Sequence, residues 1–471
     1  MKLSRATIAL LGVATILGSY PTYGLAQEEP PAEDATLTPG ESRALAVESY
    51  NNGVALFEAE EYTQAIEEFN TAIRLDPNYA EAYMYRGAAY KALGESDIAV
   101  GDFNQAIDLN PGLARAYLLR AEVYYELGNA QQALQDAQTA VSLDPTLGDA
   151  HLYQGLVDLQ AGDSAAAIVD FTEAIRQDPE LLGAYLLRGF AYDQQANYPA
   201  AIADFSYVLE RDDGNVIAYI GRGAAYYREG VLEEAEVDLN TALSINDDLP
   251  YAYYNRSFVY VAQNRPNRAI SDLDRAIELN PDFVRAYLNR GLLHGFQDNP
   301  QAAINDFNRA LELDPDLVEA YKGRADVQLA QGREAEAITD YSQAIQLTPD
   351  NASFYKLRGD AYLADGDAAA ALADYNQAIS LQPDYTSAYA ARGKIYADIG
   401  DAQRAYDDLS LVISLEDEGV SPDVLFTRGL ARVRLGDIVG ARADLERAAS
   451  RYLETGEAEG YRETLIQLRQ L

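Results

Sequence analysis

A unit of 34 residues recurs along this chain from Ala46 to about Arg451, and eleven copies follow one another without a one-residue slip. Alanine alone sets the phase: Ala65, Ala99, Ala133, Ala167, Ala201, Ala235, Ala269, Ala303, Ala337, Ala371 and Ala405 are evenly spaced. A twelfth, Ala441, arrives two residues late. Self-similarity at a fixed period means that each unit packs mainly on its neighbours, as in a solenoid, and that the array presents one extended surface. Function is to be sought along that surface.

With Ala46 as position 1, apolar or small residues occupy positions 4, 8 and 11 of most units, then 20, 24 and 27. Unit two shows Tyr83, Gly87 and Tyr90, then Ala99, Phe103 and Ala106. Spacings of four and three put such residues on one face of a helix, so each unit reads as two helices. Glycine marks the turn between them at Gly94, Gly128, Gly162, Gly230, Gly332, Gly366, Gly400 and Gly436, suited to a left-handed C-terminal cap. Asp163, Asn129 and Glu95, next in the chain, are candidates to cap the second helix. Proline closes most units at position 32, as at Pro77, Pro145 and Pro383, and biases the residue before it out of helix.

This pattern resembles the tetratricopeptide repeat over about 410 of the 471 residues. In unit ten, Tyr355, Gly359, Tyr362, Ala371, Tyr375, Ala378 and Pro383 stand where the family motif has its aromatic, small, aromatic, Ala, aromatic, Ala and Pro residues. The resemblance implies an all-α fold: a right-handed superhelical solenoid of antiparallel helix pairs whose concave groove, lined by first helices, binds peptides or protein segments. Departures are Asp213, Asp247 and Asp417 in place of proline, His151 in place of the first aromatic, and two residues inserted near Glu418 to Pro422. Those joints are expected to differ in local angle. The Lys and Asn set with which some members clamp a C-terminal carboxylate is missing.

The ends suggest where the array works. Residues 1–26 carry Lys2 and Arg5, an apolar run from Ala6 to Gly18, then Gly24, Leu25 and Ala26, the pattern of a secretory signal peptide cleaved near Ala26. The run is short against the roughly 20 apolar residues of a spanning helix. Export to a periplasm or the medium follows as an expectation. Residues 27–41 read as an acidic, proline-rich disordered lead, within which Thr38, Pro39 and Glu41 match an N-cap, N1 and N3 set. Residues 42–451 hold twelve repeats. In 452–471, Tyr461, Leu465 and Leu468 make a stripe expected to cap the last open face.

Without its first 26 residues the chain has 34 basic and 75 acidic side chains, a net charge of about −41. Nucleic acid is thereby disfavoured, since phosphate binding needs clustered basic residues. Basic or amphipathic protein segments fit better. Catalysis is not expected: there is no cysteine, no phosphate-binding glycine loop and no two-histidine helix motif, and His151 and His294 fall at repeat positions where neighbours place packing tyrosines. No cofactor or metal is implied.

One charge pattern recurs with the period. Position 23 is acidic in all twelve units, and position 7 is Arg in ten. The sequence suggests a structural ladder between successive units, pairing Asp170 with Arg188, Asp204 with Arg222 and Asp272 with Arg290, with a weaker rung where Asp136 meets Gln154. Bidentate geometry suits Arg over Lys.

Copies differ at positions 5 and 9, expected on the concave side, which makes them the candidate groove. Leu152, Leu186, Ile220, Tyr254 and Leu288 at position 5, with Leu156, Phe190 and Phe258 at position 9, read either as packing between first helices or as anchors for an apolar segment. Lys322 and Lys356 then change the chemistry, each with an Asp four residues on. The leading expectation is a non-enzymatic exported scaffold that holds protein segments. The alternative is a structural spacer or self-assembling repeat protein acting through its end faces.

Overall fold

The computed structural model describes residues 38–416 and 419–471. The signal peptide, most of the acidic lead and Asp417 lie outside the described residues. Among the described residues there are 25 helices and no strand. They form eleven antiparallel pairs, in repeats 1 to 6 and 8 to 12, with the two helices of repeat 7 and one final helix, and they fall in two compact bodies, 38–265 and 266–471. The first body holds repeats 1 to 6, from Pro39–Glu58 with Tyr62–Leu75 to Val216–Glu229 with Leu232–Ile245, and the first helix of repeat 7, Pro250–Ala262. The second begins with Pro266–Leu279, continues through repeats 8 to 11, and closes with Pro422–Leu435, Ile438–Thr455 and the final helix Ala458–Gln470.

Each pair forms because its two turns are written into the chain. At position 15 the backbone is left-handed in every repeat described: the eight glycines named above take φ between 70° and 89°, and Glu60, Ala196, Asn264 and Asp298 take φ between 57° and 62° without the freedom of glycine. Asp163 then caps the second helix of repeat 4 by accepting from the Ala166 N–H at 3.0 Å, whereas Asn129 and Glu95, though correctly placed, make no side-chain cap bond. At the other turn the residue before proline is extended, with Asp76 at φ −136°, ψ 91°. Asp212, which precedes Asp213 rather than a proline, takes −137° and 85°, so that substitution leaves the corner unchanged. The chain enters repeat 1 as its sequence suggests, with the Thr38 side chain accepting from the Glu41 N–H and the Glu41 carboxylate accepting from the Thr38 N–H.

Packing within a pair depends on a close crossing at positions 8 and 24. A Cβ placed on Gly189 would lie 2.8 Å from the Phe205 ring, and one on Gly359 only 2.6 Å from Tyr375. Repeat 3 keeps the volume by another route, with Ala121 and Ala137 at those positions, both fully buried.

The charge ladder exists, but in a different register from the one read in the sequence. Nine arginines at position 7 hold the carboxylate at position 23 of their own repeat, with Nε donating to Oδ2 at 2.7–2.9 Å and Nη2 to Oδ1 at 2.6–2.8 Å. Arg188 therefore pairs with Asp204, not Asp170; Arg222 with Asp238, not Asp204; Arg290 with Asp306, not Asp272. Asp136 pairs with Arg120, so the weak rung is not there. The third nitrogen, Nη1, reaches position 25 of the preceding repeat, as from Arg188 to Thr172 Oγ1 at 3.1 Å and from Arg290 to Asp274 Oδ1 at 2.6 Å. One guanidinium thus ties a helix pair together and fastens it to the pair before. Tyrosines at positions 4 and 11 sandwich it, the Arg188 centre standing 5.5 Å from the Tyr185 centroid and 5.8 Å from that of Tyr192. The late twelfth repeat keeps the arrangement: Arg428 holds Asp444 and still reaches Ser410, two residues further back in sequence than usual.

The carboxylates of these rungs are nearly buried, and hydrogen bonds to Asp238 raise the Arg222 guanidinium above its ordinary value against the burial that opposes charge. Asp238→Asn is expected to lower local stability by about 2 kcal/mol, because the guanidinium keeps its place and loses its counter-charge; hydrogen exchange over 216–245 reads the change. Ala196→Gly is expected to stabilise repeat 5 by about 0.5–1 kcal/mol and Gly230→Ala to destabilise repeat 6 similarly, as measured by urea unfolding.

Candidate functional site: the face of the first helices

Within each body successive first helices touch through positions 2, 6, 9, 12 and 13. In the first body Lys91 pairs with Glu122, its ammonium also lying 3.8 Å from Glu126, Arg228 pairs with Asp193, and the Tyr125 and Tyr153 rings meet edge to face at 5.9 Å. Burial raises the Glu122 carboxyl above its ordinary value, with Lys91 opposing it. In the second body Arg285 and Glu319 are 3.3 Å apart.

The structure divides the candidate groove residues. Leu156, Ile220, Tyr254 and Leu288 are buried, and so are Met84 and Leu118, which also hold position 5. The cluster around Leu288 shows why: it includes Phe307, Leu311, Leu317 and Ala320, so the side chain fills the seam between one repeat and the next. Position 5 in these repeats is packing. Leu152, Leu186, Phe190 and Phe258 are half-buried. Phe190 rests edge-on against Phe205 at 5.0 Å, and Phe258 lies between Tyr254 at 4.9 Å and Tyr227 at 5.9 Å.

Lys322 and Lys356 sit at a different kind of surface. Lys322 Nζ donates to Asp326 Oδ2 at 2.6 Å, and Asp326 Oδ1 accepts from the Tyr341 hydroxyl at 2.6 Å. Repeat 10 repeats the chain of contacts with Lys356, Asp360 and Tyr375, at 2.6 and 2.8 Å. Both tyrosine rings are buried at position 24, and burial together with the adjoining carboxylate raises their hydroxyls well above the ordinary value. The order of cause runs outward: a tyrosine in place of phenylalanine brings a hydroxyl into the core, the hydroxyl requires an acceptor, and the acceptor carries a lysine. The signal was present in the sequence, because Tyr occurs at position 24 only in repeats 9 and 10, the two with Asp at position 9. On the first helix before that of Lys322, Leu292 is 48% exposed and Phe296, one turn on, is 86% exposed. Phe296 at position 13 falls outside the positions that sequence reading singled out.

The ladder residues Arg188, Asp204, Arg222 and Arg290 lie within the rungs described above, and Asp170 faces Asp158 instead of an arginine. His151 is buried with Nε2 at 3.4 Å from the Pro145 carbonyl oxygen, and His294 is half-buried. Among the described residues no three His, Cys, Asp or Glu side chains converge as metal ligands would, and no helix is long and apolar enough to cross a membrane.

Comparison with known proteins places this architecture. A family model described as TPR repeat matches residues 53–94, 259–298, 325–366 and 359–400, and models described as tetratricopeptide repeat match 284–317 and, in overlapping pairs, 87–148, 118–181, 152–215 and 186–250. Among solved structures the chain is similar to YrrB, described as a TPR protein with an unusual peptide-binding site, at 23% identity over 40% of this chain and 97% of that one, with a TM-score of 0.36. A tetratricopeptide repeat protein from Parabacteroides merdae matches at 21% identity over 50% and 94% with a TM-score of 0.40, and yeast Tom70 at 17% over 91% and 97% with a TM-score of 0.38. No curated protein sequence matches the chain. The matched repeats together span most of the sequence, and the chain belongs to the tetratricopeptide repeat family.

Proposed function

We propose that this chain is a non-enzymatic, exported scaffold that holds protein or peptide segments along a groove formed by its first helices. The observation that carries the reading is the exposure of Phe296 and Leu292 on one helix face, on the first helix that packs against the one carrying the exposed Lys322–Asp326 pair. A large aromatic left in water one turn from a second apolar side chain, with charged groups at the rim, has the make-up of an anchor point for a bound segment. Phe190 and Phe258 are the half-buried counterparts in the first body. The buried side chains of position 5 have no part in contact; they hold the first helices at the spacing that displays the others. The net charge of about −41 selects basic or amphipathic partners over acidic ones. The signal-like segment at 1–26 supports export to a periplasm or the medium.

The test is binding of labelled amphipathic peptides, basic and acidic, to the chain from Gln27 to Leu471, read by fluorescence anisotropy. Basic amphipathic peptides should bind, and Leu292→Ser with Phe296→Ser should weaken them about tenfold or more while helical signal and melting stay unchanged. Equal affinity in the variant, or no binding by either peptide class, overturns the reading. A second reading, self-assembly through the end, draws on Leu453 and Ile466, both exposed on the last two helices. Concentration-dependent sedimentation that Leu453→Glu and Ile466→Glu abolish would favour it.

A further inference from the structure

Repeat 4, built from Gly148–Ala161 and Ser164–Gln177, departs from its neighbours on one face. Where repeat 5 has Tyr185, Arg188 and Tyr192 at positions 4, 7 and 11, repeat 4 has His151, Gln154 and Asp158. It is the one repeat between the second and the twelfth without the position-7 arginine. The helix crossing is kept: a Cβ on Gly155 would lie 2.6 Å from the Phe171 ring, against 2.8 Å for Gly189 and Phe205, so Asp170 leaves its helix where the other rung carboxylates leave theirs. What has gone is the guanidinium that covers it. The ten other aspartates at position 23 are buried, and Asp170 is half-buried. Gln138, exposed at position 25 of repeat 3, has no position-7 arginine to receive. The aromatic wall of the rung is replaced by polar groups. Tyr287, at position 4 of repeat 8, reaches the Pro281 carbonyl oxygen at 3.3 Å and holds its ring 5.6 Å from the Arg290 guanidinium. His151 makes the equivalent contact, with Nε2 at 3.4 Å from the Pro145 carbonyl oxygen, so its ring takes the tyrosine's place. A carbonyl oxygen only accepts, so Nε2 carries the proton and Nδ1 holds a lone pair; that nitrogen is buried and has no partner. At position 11, where repeats 3, 5 and 6 set a tyrosine ring 5.8–5.9 Å from the guanidinium, stands Asp158.

We propose that repeat 4 is a socket for an arginine side chain of a bound protein segment, whose guanidinium completes the missing rung by donating to Asp170. The lining offers acceptors without donors to match: two carboxylates, an imidazole lone pair and the amide oxygens of Gln154 and Gln138. A guanidinium brings five N–H donors in one plane and stays charged. The same carboxylate takes that group in repeats 5 and 6, with bonds of 2.7–2.8 Å. Neighbouring cations of the chain are engaged elsewhere: Arg120 is held by Asp136, Arg176 by Glu173 and Arg188 by Asp204. A metal ion suits the place less well, because among the described residues no three carboxylate or imidazole groups converge on one point, whereas the planar fork of guanidinium serves acceptors that stand apart. An ammonium, as a point charge, meets fewer of them. The socket goes beyond the groove reading, since positions 4, 7 and 11 lie on a different stripe of the first helix from positions 9 and 13.

Titration of the chain from Gln27 to Leu471 with Nα-acetyl-arginine amide, followed by saturation-transfer NMR, tests this. The arginine amide should bind, and its citrulline analogue, of the same shape without the charge, should bind about tenfold more weakly or not at all. Gln154→Arg should abolish binding by filling the socket from within, while helical signal and melting are kept. Gln131→Arg, which adds the same charge at an exposed position of repeat 3, should leave binding as it is. Asp170→Asn should weaken it about tenfold, and Gln154→Arg decides the matter if that variant fails to fold. Leu292→Ser with Phe296→Ser should change nothing, so that failure of the groove and failure of the socket are read apart. Absence of binding, equal binding of the citrulline analogue, or binding that survives Gln154→Arg or a folded Asp170→Asn overturns the proposal. Loss of binding in Gln131→Arg also overturns it, since that would assign the effect to net charge.

Discussion

The array depends on one guanidinium in each of ten of its twelve repeats. A bare pair of helices of about 14 residues has little reason to keep a fixed distance from the next pair, since apolar packing alone tolerates sliding. The position-7 arginine removes that freedom by donating two hydrogen bonds to a carboxylate in its own repeat and one to a polar side chain in the repeat before. Its charge is placed where it is nearly shielded from water and flanked by tyrosine rings, so that the bonds are strong and the counter-charge cannot be dispensed with. The glycine and aromatic at positions 8 and 24 then set how closely the two helices cross, directly beside the rung. Polar geometry fixes the register and apolar volume fixes the distance.

Much of this was legible in the sequence. The 34-residue phase gives both helices and both turns, because a left-handed residue at position 15 and an extended one before position 32 are demanded by the backbone and advertised by Gly and Pro. The ladder residues were legible too, but not their partners. Position 23 is equally far in sequence from the turn that follows position 7 of its own repeat and from the corner that precedes position 7 of the next, so two arginines stand level with it. Which one it meets depends on the direction in which the side chain leaves its helix, and periodicity carries no information on that. Arg188 bridges both directions, holding Asp204 on one side and Thr172 on the other.

The surface was harder to read than the core. Ile220 and Leu288 are as apolar as any anchor residue, and nothing in their identity says that a neighbouring first helix covers them. Phe296 is the converse case, an aromatic in the last turn of a helix that no neighbour covers. The lysines of repeats 9 and 10 were noticed for their charge, but their cause lies in the core, in Tyr341 and Tyr375. A single oxygen on each ring determines what the surface above it must be.

Because each arginine looks only to its own repeat and the one before, the array can change length in whole steps. Excising an internal 34 residues from a run of arginine-bearing repeats brings an arginine to an equivalent position 25 and leaves each rung with a partner, whereas removing half as many would set position 7 against an unmatched helix. The twelfth repeat marks the tolerance of the rule: two extra residues are taken up before Pro422, and Arg428 reaches Ser410 all the same. Inheritance by duplication and loss of single repeats is therefore open to this chain at little structural cost, and its length is a multiple before it is a number.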